Sequence, residues 1–128
     1  MEHPIVEKIL KDGINSVNIS MLDESARNKI LSDVAEKLYK QNRFVEAIEL
    51  TEKANDTMKL INLGDSFLSE NKIELATLCF IPTKDKQRLN SAAVLCIQIK
   101  NYKLAAKAYE AADNKPMASF IMQNFVEG

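Results

Sequence analysis

The sequence predicts an all-α protein, a right-handed α-α superhelix of stacked antiparallel helix hairpins with about eight helices. Three observations predict it. Apolar residues recur at helical spacing, as in Leu31, Val34, Ala35 and Leu38. Residue size then repeats with one period: Ala47, Ala76 and Ala105 differ by 29 positions each, and Leu31, Leu60 and Leu89 keep the same interval. So do small Ala35, Gly64 and Ala93, large Phe44, Ile73 and Tyr102, apolar Leu38, Phe67 and Cys96, and polar Asp56, Asp85 and Asn114. Finally, the 128 residues hold only three Gly and three Pro, so no flexible linker divides the chain and residues 1–128 read as one domain.

The elements follow in order. Residues 1–20 read as an N-terminal helix over about 4–12 and a loop, with Pro4 suited to the first turn and Gly13 to the end. Ile5, Val6, Ile9 and Leu10 make its apolar stripe. Ser20 and Asp23 resemble a capping box that opens the first repeat. Three hairpin repeats occupy 21–56, 57–85 and 86–114, with helix pairs at about 21–41 and 43–55, 57–70 and 72–81, and 86–99 and 102–113. Asn42, Asn71 and Asn101 lie in the intervening turns, where asparagine tolerates left-handed backbone. Asp56, Asp85 and Asn114 suit N-caps. Pro82 should stop the second pair early. The terminal segment 115–128 reads as a helix over about 115–126, with Ala118, Ile121, Met122 and Phe125 continuing the core columns. The small residue in each first helix lets the second approach closely: Gly64 faces the Ala76 helix, and Ile73 and Phe80 fill the flanks.

Composition excludes several functions. Seventeen Lys and Arg balance 18 Asp and Glu for a net charge of −1, which argues against a nucleic-acid grip. No apolar run approaches a membrane span, and the N-terminus lacks the apolar core of a signal peptide, so the expected compartment is the cytoplasm. Cys79 and Cys96 read as reduced core thiols. His3 is the single histidine, with no Cys or Ser beside it, and reads as a solvated terminal residue. No glycine-rich loop cradles phosphate, since the glycines stand at 13, 64 and 128. Adjacent Asp23 and Glu24 point apart on a helix and suit its first turn. Glu36 and Lys40 make an ordinary i,i+4 pair. Lys84, Lys86 and Arg88 read as a solvated turn. Catalytic, metal-ligating and cofactor-binding sets are therefore not expected, and the protein is not expected to be an enzyme.

The hairpins resemble the tetratricopeptide-like helical repeats over about residues 28–125. The resemblance rests on Leu60, Leu63, Gly64, Phe67, Ile73, Ala76 and Phe80 in the middle unit, and on Tyr102, Ala105, Tyr109 and Ala112 in the third. The chain departs from that family in its period, against roughly 34 residues, and in Thr51 and Thr83, which replace an aromatic and an alanine. The short repeat and the stretch LGDSFLSENKIELATLCF look more like coatomer and intraflagellar-transport solenoids. The resemblance implies a concave groove lined by Ser32, Glu36, Tyr39 and Lys40, then Ile61, Asp65, Leu68 and Ser69, then Asn90, Val94, Ile97 and Gln98. It implies a protein–protein interaction scaffold or adaptor that takes a partner helix or peptide in that groove, or a segment of a trafficking or transport-complex solenoid. Leu68 and Ile97 either face a partner or pack inside the superhelix. A regulatory domain binding a small ligand in the groove is the alternative. Met117 and Phe120 add apolar surface to the last helix, which belongs either to a longer solenoid or to a self-association face that would make a homodimer.

Overall fold

The computed structural model describes residues 4–14, 17–20 and 22–126; His3 and Met21 lie outside them. The described residues contain eight α-helices and no strand: α1 (Ile5–Asp12), α2 (Glu24–Lys40), α3 (Phe44–Lys53), α4 (Thr57–Ser69), α5 (Ile73–Phe80), α6 (Lys86–Gln98), α7 (Tyr102–Ala111) and α8 (Lys115–Ile121). A 3-10 turn, Ile81–Thr83, follows α5, and a π turn, Met122–Val126, follows α8. The backbone forms two compact units, Met1–Thr57 and Met58–Gly128.

In the first unit α1 packs on α2, and α2 forms a hairpin with α3. An eight-residue helix is marginal alone. Here Val6 and Ile9 are buried against a core that includes Ile30, Leu31, Val34 and Leu38 of α2 and Leu50 of α3. Each such burial is worth about 1.5–3 kcal/mol. Ile14, Val17, Ile19 and Leu22 of the connecting segment also pack, half-buried, on this core. The capping expectation shifts by one turn. Asp23 is itself the N-cap, in extended backbone, and its carboxylate accepts from the Ala26 N–H at 2.7 Å. Ser20 instead bonds Asn18, so α2 begins at Glu24 rather than at 21.

In the second unit α5 packs on α6 and α7, α6 forms a hairpin with α7, and α7 packs on α8. Gly64 of α4 meets Phe80 of α5 so closely that an added Cβ would lie 2.8 Å from two of the ring carbons. At residue 64 the column is reduced to glycine because the Phe80 ring occupies that space.

The 29-residue period extends to the backbone. Asn42, Asn71 and Lys100 take left-handed conformation, with φ of 62°, 63° and 65°. After each, a 6→1 bond closes the helix end: Arg43 to Leu38, Lys72 to Phe67 and Asn101 to Cys96, at 2.8–2.9 Å. The third turn therefore corrects the expectation for Asn101. Lys100 holds the left-handed position, and Asn101 is the N-cap of α7, its side chain accepting from the Leu104 N–H at 3.2 Å. Between repeats, Asn55, Lys84 and Asp113 are left-handed, with φ of 57°, 60° and 61°. The 6→1 bond recurs from Asp56 to Thr51 and from Asn114 to Tyr109. At Thr83 a hydroxyl bridges the corresponding groups, donating to the Phe80 carbonyl at 2.6 Å and accepting from the Asp85 N–H at 3.2 Å. Asp85 and Asn114 cap α6 and α8 as expected.

The matching columns are buried: Ala47, Ala76 and Ala105; Leu31, Leu60 and Leu89; Leu38, Phe67 and Cys96. Thr51 is also buried, and its hydroxyl is satisfied by the Ala47 carbonyl at 2.8 Å. The last helix is shorter than expected. The widened turn over Met122–Val126 moves Phe125 off the α-helical register, and Phe125 is 49 % exposed rather than in the core.

Candidate interaction surface

The residues expected to face a partner fall on α2 in the first unit and on α4 and α6 in the second. On α2, Ser32 and Tyr39 are half-buried, while Glu36 and Lys40 are exposed and pair at 3.5 Å. The Tyr39 ring meets Phe44 edge-on at 5.3 Å, so packing holds it in place. On α4, Ile61 and Leu68 are half-buried and Asp65 and Ser69 exposed. The Ser69 hydroxyl donates to its own helix, at the Ser66 carbonyl. On α6, Asn90 and Ile97 are half-buried, Gln98 is exposed, and Val94 is 47 % exposed.

Two polar links join α6 to other elements of the second unit. Arg88 of α6 donates two hydrogen bonds to Asp65 of α4, from Nε at 2.9 Å and Nη2 at 2.8 Å. Its Nη1 donates to Asp85 at 2.8 Å. Asn114, which caps α8, donates to Asn90 of α6 at 3.3 Å. The structure thus brings Asp65 and Arg88 together and corrects one expectation. Asp65 is an exposed partner of Arg88, and Arg88 is a two-carboxylate bridge rather than one charge of a solvated turn. The partners are 23 residues apart, so no local spacing marked them. The guanidinium also lies 5.9 Å from the Phe80 ring centroid, beside the Gly64 crossing.

The bridge shifts both acids. The Arg88 side chain holds the Asp65 carboxyl below its ordinary value of 3.8. For Asp85 the backbone N–H of Arg88 acts first and its side chain second, again downward. A lowered carboxyl contributes stability above the unfolded-state value and loses it as pH falls through the folded value. As pH falls below the ordinary carboxylate value of 3.8, the urea midpoint should therefore fall further for the native chain than for Arg88→Met. Equal acid-side losses would show that the bridge is too solvated to matter.

At the C-terminal end, Phe120 is 51 % exposed and meets Phe125 edge-on at 6.2 Å. Phe125 in turn stacks on Tyr102 at 4.7 Å. Met117 is half-buried. The exposed large apolar side chains at this end are therefore Phe120 and Phe125. The π turn that presents Phe125 gave no sequence signal.

The thiols face inward. Burial pushes the Cys79 thiol up to about 12 and raises Cys96, which sits 3.4 Å from the Thr77 hydroxyl. Both stay protonated near neutral pH and are poor nucleophiles. Among the described residues no group of His, Cys, Asp and Glu could hold a metal ion, and no helix is long and apolar enough to cross a membrane. No family model, curated protein or solved structure matches the chain.

Proposed function

We propose that the protein is a non-catalytic interaction module of the tetratricopeptide-like type, a scaffold or adaptor that seats a helix or peptide of a partner on the first helices of its hairpins. One observation carries this reading. Val94 is 47 % exposed on α6, with half-buried Ile97 one turn further on. Ile61 and Leu68 are half-buried on α4, the helix bridged to α6 through Asp65 and Arg88. Aliphatic side chains left open on adjacent helices favour a partner's apolar face. The paired Val94→Glu, Ile97→Glu variant should keep its melting temperature within a few degrees and lose a protein captured by the native chain from native extract. Retention of every captured protein would contradict the reading.

Phe120 and Phe125 give a second apolar surface, which we assign to self-association through the C-terminal helix and its following turn. Phe120→Lys should lower the mass measured by light scattering toward that of one chain. A native chain that is monomeric throughout its soluble range would refute this assignment.

A further inference from the structure

We propose that α1 is a releasable strap, which swings away from α2 and α3 about Gly13 while that hairpin stays folded, and whose docking keeps an apolar face of the hairpin covered. The device lies in the first unit. It rests on none of the surfaces proposed above, which belong to α4, α6 and the C-terminal end.

α1 is held more lightly than the helix it covers. It has eight residues, marginal for a helix alone, and buries two of them, Val6 and Ile9. α2 buries five, Ile30, Leu31, Val34, Ala35 and Leu38. Pro4 caps α1 without a side-chain hydrogen bond, whereas the Asp23 carboxylate caps α2. Glu7 reaches Lys37 of α2 at 3.7 Å with its side chain 73 % exposed, a pairing too solvated to add much. The seam also holds a cavity of about 60 Å³, lined by Ile9, Gly13 and Ile14 and by Val34, Leu38 and Leu50 of the hairpin. Exposed Arg43 and Glu46 line it too, so water reaches the space beside Ile9.

Gly13 sets the docked geometry. Its φ of 94° and ψ of 160° fall in a region that essentially glycine alone occupies. A Cβ there would meet nothing within 4 Å. The glycine is therefore required by the backbone and not by space, the reverse of Gly64. Asn42, one period later, ends its helix in the left-handed form that asparagine tolerates. The demand at residue 13 exists only while α1 is docked, because lifting the strap frees that backbone to turn. The hairpin closes without the strap: α2 packs on α3, and the Arg43 N–H donates to the Leu38 carbonyl at 2.9 Å. Lifting α1 bares the side chains across the cavity, Val34, Leu38 and Leu50.

The test is native-state hydrogen exchange of the full chain, followed amide by amide by NMR in low urea. Residues 9–12 should share one protection factor, at least about tenfold below that of residues 34–38, and it should be nearly flat in urea. Gly13→Ala penalises only the docked state. It should speed exchange at 9–12 by about tenfold or more and leave 34–38 within about twofold of the native chain. Ile9→Ala should act in the same selective way. One rate and one urea slope for α1 and α2 together would overturn the proposal, since the helices would then open only as a unit. So would protection graded along 9–12, which marks fraying from an end rather than release. A Gly13→Ala chain that exchanges faster in both helices alike, or in neither, would overturn it as well.

Discussion

Phe80→Ala is expected to destabilise the protein by about 3–5 kcal/mol. Phe80 is 1 % exposed, and its ring fills the space that Gly64 leaves open where α4 meets α5. That is a large share of the roughly 5–15 kcal/mol typical of a domain. The same contact reverses an ordinary rule. Glycine to alanine inside a helix normally stabilises by about 1 kcal/mol. Gly64→Ala should instead destabilise, by about 1–3 kcal/mol, because the new methyl meets a buried ring with little room to shift. In the Phe80→Ala background the ring is gone, and Gly64→Ala should become neutral or stabilising. Urea denaturation of the four proteins measures this coupling. Simple additivity would mean that the ring does not set the size of residue 64.

Tyr109→Ala should cost about 3–5 kcal/mol. Tyr109 is 5 % exposed on α7, the helix that packs against α5, α6 and α8. Its backbone carbonyl also accepts the 6→1 bond from Asn114 that ends the hairpin. Removing so buried a ring opens a cavity, so thermal unfolding should shift down by many degrees. The milder Tyr109→Phe should cost about 1 kcal/mol or less. A near-neutral Tyr109→Ala would mean that the third hairpin is not packed around this ring.

The columns of alanine, leucine and small residues were legible in the sequence because burial selects for size, and size can be counted along a chain. The hairpins and most of their ends followed from those columns. The turns were legible only in part. Asn42 and Asn71 show their left-handed backbone by residue type, whereas Lys100 does not, since geometry there is imposed by the flanking helices. Ser20 and Asp23 read as a capping box, and only the backbone conformation shows Asp23 itself to be the cap. The Asp65–Arg88 bridge joins residues on two different helices, which no local spacing records. The π turn at Met122–Val126 left Phe125 exposed against its column, because the register changes with the helix type. Of the expected surface, Val94 emerged as its most open apolar member, while Asp65 pairs with Arg88 and Tyr39 packs on Phe44.

The central claim is that one hairpin, with one backbone geometry, is built repeatedly at a fixed interval. Measurement of backbone φ by NMR couplings tests it most directly. The account predicts positive φ, near 60°, at residues 42, 71 and 100 and again at 55, 84 and 113. Negative φ through either set, with helix running unbroken across those positions, would contradict it.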